Sequence, residues 1–185
     1  MGNRRLSRKR LYQVEKLGQD IKSSMGAGSG MINAIKSASQ HRQGQEIITE
    51  IAIDMGSSKG ALSGGGGDTD VIGTTSKPSQ ICQLTEAVFG KVTEIRAVLV
   101  EIGANVADLD LELASGVLNR EGSPGTVVLT GFDAVGVDKS KAYDDATVPA
   151  DKYLYLCNGT GSSTAAQTSG KILIYIHGFA EPADL

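Results

Sequence analysis

From residue 46 onward, hydrophobic and polar positions along the chain alternate with a period of two. Ile47, Ile51 and Ile53 fall on one side of the first such stretch, and Glu50 and Asp54 fall on the other. This period is typical of a β-strand that buries one face. Comparable stretches, separated by glycine-rich or polar segments, predict seven strands at residues 46–54, 80–89, 91–102, 107–114, 126–132, 152–157 and 171–179.

Two of these stretches support more specific predictions. Residues 92–102 are apolar on both faces, as expected for a central strand that is buried from two sides. Residues 107–114 place three leucines on one face and Asp108, Asp110 and Glu112 on the other. Three carboxylates at this spacing could join a calcium site. We instead expect a solvated outer face, because antiparallel strands usually present one.

The segments between the strands have the composition of loops. Residues 56–70 contain six glycines, residues 158–170 are mostly Gly, Ser, Thr and Ala, and residues 133–151 are polar. Short strands with such connections, and without long helices between them, predict an all-β protein. We expect a jelly-roll-like β-sandwich that spans residues 46–185.

The first 22 residues follow a helical period instead. Their hydrophobic residues recur at steps of three, three and four, as on one face of an amphipathic helix. A lone helix of this length is marginally stable in water and needs a surface on which to lie. The hydrophobic stripe consists of Leu11, Val14, Leu17 and Ile21.

A flexible break rich in serine and glycine follows at residues 23–30. A second helical pattern then covers residues 31–42, ending at a glutamine and a glycine. We therefore expect residues 1–45 to form an extended N-terminal arm with two short helices, outside the core. The apolar face of the second pattern comprises Met31, Ala34, Ile35 and Ala38.

Charge separates the arm from the rest of the chain. Residues 1–45 hold nine Lys or Arg and two acidic residues, a net charge of +7, whereas the remaining 140 residues hold nine basic and nineteen acidic residues, a net charge of −10. Such asymmetry favours a basic arm that contacts an acidic partner, although a solubilising tail would have the same composition. The predicted partner-binding residues are Arg4, Arg5, Arg8, Lys9, Arg10, Leu11, Val14, Leu17 and Ile21.

The sequence offers little for catalysis or metal binding. The chain has two histidines and two cysteines, too few for a zinc or iron–sulfur site of the usual kind or for a disulfide framework. His41 and His177 lie more than a hundred positions apart, and no nucleophile, base and orienting group can be named. Phosphate-binding and dinucleotide-binding glycine motifs are absent. We expect a protein that is not an enzyme and that has no catalytic, cofactor-binding or metal-binding residues.

No apolar run approaches the ~18 residues that a membrane helix needs, and no secretory signal is apparent. We therefore expect a soluble protein that is made in the cytoplasm and has no membrane partner.

Four stretches of the chain carry a family resemblance. NRRLSRKRLYQVEKLG, HRQGQEIITEIAIDMG, KYLYLCNGTG and GKILIYIHGFAEPADL resemble small virion structural proteins of marine and cyanobacterial tailed bacteriophages, in particular capsid decoration or cement proteins. The resemblance covers the arm and the last third of the chain. It implies a β-rich, often trimeric subunit that sits over junctions between major capsid subunits and holds them with a terminal arm.

These observations together predict a non-enzymatic decoration protein of the virion, made in the host cytoplasm, whose partners are the major capsid protein and further copies in a homotrimer. A location at the neck or tail of the virion is one alternative. A host-glycan-binding module is a second alternative, although the chain has no Trp to stack on sugars. Nucleic acid is an unlikely partner, because the arm has no aromatic residue except Tyr12.

Overall fold

A computed structural model of the chain describes residues 25–56, 62, 70–73, 77–103, 109–118, 125–131, 140–143, 148–159 and 168–181. These residues form two antiparallel sheets and one short helix, so the all-β prediction is confirmed. The elements are β1 (Ile35–Gln43), β2 (Glu46–Asp54), β3 (Gln80–Gln83), α1 (Glu86–Phe89), β4 (Lys91–Glu101), β5 (Leu109–Ala114), β6 (Thr126–Leu129), β7 (Ser140–Tyr143), β8 (Tyr153–Asn158) and β9 (Lys171–Phe179).

The five-stranded sheet has the order β1-β2-β9-β4-β7. Its central strand β9 alternates buried Ile172, Ile174 and Ile176 with half-buried residues, and Ile174 pairs with Ile51 of β2 on one side and with Ala97 of β4 on the other. The predicted alternation of β2 is confirmed, since every second residue of this strand is buried. One face of the sheet is therefore built from aliphatic side chains.

The four-stranded sheet has the order β3-β8-β5-β6. Leu111 of β5 pairs with Leu156 of β8, and both side chains are buried with Ile51, Ile95 and Ile174 of the other sheet in one hydrophobic cluster. The two sheets therefore share a single core. It is almost entirely aliphatic, as the small number of aromatic residues requires.

The second predicted helix of the arm is wrong. Residues 35–43 form strand β1, which pairs with β2 across a turn at residues 44–45. Met31 and Ala38 are buried as an apolar face should be, but they belong to the core of the sandwich and not to an arm outside it. Tertiary pairing with the strongly β-forming β2 decides the conformation here, because local propensity is a weak influence on a segment this short.

Three further expectations need correction. The predicted strand at 80–89 is divided into β3 and the single turn α1, and Gly90 ends that turn in the left-handed region at φ 66°. The predicted loop at 133–151 contains the short strand β7. Strand β4 lies inside the sheet as expected, but it buries only one face, with Ile95, Ala97 and Leu99 inward.

Candidate partner-binding surface

The predicted partner-binding residues of the arm lie outside the described residues, which begin at Met25. The surface that can be examined is therefore that of the sandwich. These arm residues are Arg4, Arg5, Arg8, Lys9, Arg10, Leu11, Val14, Leu17 and Ile21.

Strand β1 forms one edge of the five-stranded sheet and is the longest edge strand of the described chain. It has nine residues, whereas the other edge strands β3, β6 and β7 have four each. Six of the nine residues of β1 are exposed. The sequence does not indicate this surface, because residues 31–42 follow a helical pattern.

Two hydrogen bonds from the side chain of Gln40 join β1 to neighbouring elements of the protein. Its amide nitrogen donates to the hydroxyl of Thr49 at 2.9 Å and to the carbonyl oxygen of Val88 at 2.8 Å. The second bond joins the edge strand to helix α1, 48 positions further along the chain. The middle of β1 is therefore held in place from one side while its other side stays open.

The outer face of the five-stranded sheet carries a row of polar contacts across three strands. The guanidinium carbon of Arg96 lies 4.7 Å from the ring centre of Tyr175, within the range of a cation–π contact. Burial, together with the neighbouring carboxylate of Glu50, raises the pKa of the Tyr175 hydroxyl. In the adjacent row, His177 Nδ1 lies 3.6 Å from a carboxylate oxygen of Glu46. These contacts place charged and aromatic side chains side by side on this face.

A pocket of about 290 Å³ opens beside Gly90, at one end of the sandwich. Lys91 is one of its charged members and makes an exposed ion pair with Glu181. This contact raises the pKa of Lys91 and lowers that of Glu181. The pair is exposed on both sides, so it contributes little to stability. The apolar lining of the pocket includes Leu84, Val92, Val148 and Pro149.

The acidic face of β5 is buried, so the prediction of a solvated outer face is wrong. Asp110 is 3% exposed and Glu112 is 0% exposed. An oxygen of Asp110 accepts a hydrogen bond from the backbone N–H of Gly131 at 2.7 Å, and an oxygen of Glu112 accepts one from the N–H of Gly125 at 3.3 Å. The two carboxylates therefore hold the segments at both ends of β6.

The alternative prediction of a calcium site gains no support. Asp108 lies outside the described residues, and the part of the chain that the structure describes contains no group of three His, Cys, Asp or Glu side chains able to hold a metal ion. Asp110 and Glu112 instead share the outer side of their sheet with a small cluster that contains Tyr155 and Cys157.

Both cysteines are buried free thiols. Burial raises the pKa of the Cys82 thiol above its ordinary range. Burial also raises the pKa of Cys157, and the negative charges of Glu112, Asp110 and Asp70 add to this effect. Thiols of raised pKa are poor nucleophiles at neutral pH, because the thiolate is the reactive form.

Comparisons with known families, curated proteins and solved structures find no match to this chain. Among the described residues, no helix is long and apolar enough to cross a membrane.

Proposed function

We propose that the two sheets form a jelly roll. The strand pairing supports this proposal: β2 lies beside β9, β3 beside β8, β4 beside β7 and β5 beside β6. Each of these pairs is antiparallel. This is the arrangement expected when a long hairpin of eight strands is rolled into two sheets. Strand β1 extends the five-stranded sheet beside β2.

We further propose that the protein is a bacteriophage virion structural protein, a capsid decoration protein that binds over major capsid subunits and stabilises the head. The observation that carries the proposal is the strand pairing, because jelly rolls are common in viral capsid proteins and in lectins. The sequence resemblance to phage decoration proteins favours the first class. The absence of Trp, on which sugars commonly stack, is unfavourable to the second.

The stabilisation would follow from mass action. A subunit that binds the assembled lattice and not the free capsid protein shifts the equilibrium toward the lattice. The hydrophobic stripe at Leu11, Val14, Leu17 and Ile21 would supply buried area, and the basic cluster at residues 4–10 would pair with acidic groups. Three linked copies would gain affinity through effective concentration.

The direct test is a titration of the purified full chain against heads of the phage that encodes it, followed by cryo-electron microscopy of the decorated particles. Regular density over the capsid subunits supports the proposal. Density confined to the neck or tail, or binding to host glycans without binding to heads, would overturn it.

A pair of arm variants separates a capsid partner from DNA. The double variant Leu11→Ala, Leu17→Ala should abolish decoration even at low salt, because truncating a buried leucine usually costs ~2–5 kcal/mol. Changing Arg4, Arg5, Arg8, Lys9 and Arg10 to Gln should mainly slow association and increase its sensitivity to salt. Tight binding to duplex DNA that survives the leucine changes but is lost with the basic residues would contradict a capsid partner.

We also propose that the protein is a homotrimer. Exposed hydrophobic residues support further burial between copies, since Ile102 is 61% and Val117 is 68% exposed. Light scattering on the full chain at micromolar concentration should give three times the monomer mass, and a monomer would contradict the proposal.

A further inference from the structure

We propose that the open edge of β1 is a docking site for an extended, acidic segment of a partner protein, which adds to the five-stranded sheet as a sixth strand. The inference deepens the proposed function, and it rests on that function only for the identity of the partner as a capsid protein. The docking chemistry follows from the length, register and charge of β1 itself. This contact is separate from those proposed for residues 4–21.

The length of β1 is the first reason. Edge strands expose unpaired backbone groups, and proteins usually limit this by shortening the edge, by covering it, or by placing charged residues, proline or a bulge in it. Strands β3, β6 and β7 follow this rule with four residues each. Strand β1 has nine residues, contains no proline and has its only bulge at its beginning, between Ile35 and Ser37. A continuous edge therefore runs from residue 37 to residue 43.

The register shows which backbone groups are available. A two-residue turn joins β1 to β2, so the closing pair Gln43 and Glu46 exchanges both of its backbone hydrogen bonds. Because these bonds alternate along an antiparallel pair, the N–H and C=O groups of Ala38, Gln40 and Arg42 point away from β2. No strand of the described chain lies on that side. An incoming strand would find three regularly spaced donor and acceptor pairs.

The edge is also fixed before any partner arrives. The two hydrogen bonds of Gln40, to Thr49 and to Val88, hold the middle of the strand, and the side chain of Ala38 is 7% exposed within the core. A binding edge that is already ordered loses less conformational entropy on association. Strand addition is a known mode of peptide recognition that uses such an edge.

The charged residues near β1 favour an acidic partner segment. Residues 25–45 contain Lys36, His41 and Arg42 but no Asp or Glu. Lys36 and Arg42 are both exposed, and Arg42 lies near the end of the continuous edge whereas Lys36 lies in the bulge just before that edge begins. A second copy of β1 would bring further basic residues to the same edge, and like charges on adjacent strands are destabilising. An acidic segment with a carboxylate at each end would instead pair with both.

The test uses synthetic peptides and the full chain. The probe is the peptide Glu-Val-Thr-Val-Thr-Val-Glu with blocked ends and a fluorescent label, and its matched control carries Lys at both ends. We expect the acidic peptide to bind about tenfold more tightly than the control, since two attractive cross-strand pairs become repulsive. N-methylation of the third and fifth residues should abolish binding, because their N–H groups would face β1. N-methylation of the second and fourth residues should leave it unchanged.

Matched protein variants locate the site. The double variant Lys36→Gln, Arg42→Gln should weaken the acidic peptide about threefold, less than the charge reversal of the peptide does, because it removes two attractions without adding repulsion. The control Lys77→Gln, Lys152→Gln removes one exposed and one half-buried charge far from β1 in the chain and should have no effect. Hydrogen exchange should show new protection at residues 38, 40 and 42 on binding.

Some outcomes would overturn the inference. These are equal affinity for the acidic and basic peptides, failure of the acidic peptide to bind, or a peptide-free oligomer in which β1 is already protected. The decoration function is tested independently of the strand addition. Heads that bind the chain without protecting β1 would reject only the strand addition, and acidic peptides that bind while heads do not would reject only the decoration function.

Discussion

Gly178 of β9 lies so close to Phe89, the last residue of α1, that a Cβ atom on the glycine would stand 2.0 Å from the Phe89 carbonyl oxygen. The backbone of the helix is thus in direct contact with the backbone of the central strand. Val88, in the same turn, accepts the hydrogen bond from Gln40 that fastens β1. One backbone contact therefore supports both the end of the sandwich and the open edge of its larger sheet.

Gly178→Ala should lower the free energy of unfolding by about 1–3 kcal/mol, the usual cost of forcing an added methyl group into a packed site. The obstacle is backbone, which cannot rotate away as a side chain can. Gly116→Ala is the matched control, because a Cβ there would meet nothing within 4 Å. Urea unfolding of the two variants checks the prediction, and an equal effect in both would contradict it.

Asp110→Ala should destabilise the protein by about 1.5–3 kcal/mol, the range for a lost hydrogen bond to a charged group. The substitution removes the acceptor for the backbone N–H of Gly131, which is 2.7 Å away. Glu181→Ala breaks an exposed ion pair with Lys91 and should have little effect on stability. Similar losses from both variants in chemical denaturation would show that the buried carboxylate has no special role.

The burial of Asp110 and Glu112 marks a limit of sequence reasoning in this protein. The alternation of β5 correctly places its leucines in the core, because period and hydrophobicity are local properties. What covers the opposite face depends on distant segments. The chain after β5 passes over that face, where the N–H of Leu118 donates to the hydroxyl of Tyr155 at 3.0 Å. No local pattern encodes that contact.

The candidate docking edge, strand β1, could not be predicted from the sequence for a related reason. The alternating isoleucines of β2 indicate a strand from the sequence alone. Its partner β1 consists mainly of Ser, Gln, His and Arg, which have no strong preference for strands. Such a strand exists because β2 offers it a pairing surface. Strand β7, with the sequence SKAY, is both short and mostly without strand-forming residues, so it has no strong strand signal either. Strands with apolar faces were therefore predictable here, and polar edge strands were not.

Stability should fall steeply in alkaline solution. Burial raises the pKa of Cys82 and Cys157, so the folded protein keeps both thiol protons at a pH where the unfolded chain, with thiols of pKa near 8.5, releases them. The stabilising effect is complete below about pH 8.5 and is lost as pH rises, by about 1.4 kcal/mol per pH unit for each thiol. The raised pKa of Tyr155 acts in the same direction at higher pH.

Urea unfolding at pH 7 and pH 10 under reducing conditions measures this loss, and the free energy of unfolding should be lower at pH 10. The double variant Cys82→Ala, Cys157→Ala is the control and should show a much smaller difference between the two pH values. An undiminished pH dependence in that variant would assign the alkaline loss to other groups.

Two truncations should separate the arm from the fold. Met25 is completely buried and its carbonyl oxygen accepts the N–H of Gln83 at 2.8 Å, while the N–H of Gly28 donates to Gln80 at 3.0 Å. Removal of residues 1–30 deletes both hydrogen bonds and one core side chain, so it should lower the free energy of unfolding by at least about 3 kcal/mol. Removal of residues 1–24 leaves these contacts in place and should give a folded protein of nearly unchanged stability.

The shorter deletion is therefore the informative one for head binding. If the arm is an anchor, the chain without residues 1–24 should melt like the full chain but show much weaker decoration, while its β1 edge should still bind the acidic peptide. Thermal unfolding followed by circular dichroism, together with the head titration, tests both parts on one sample. Decoration at full occupancy by this folded truncation would remove the arm from the binding surface and leave the sandwich as the whole anchor.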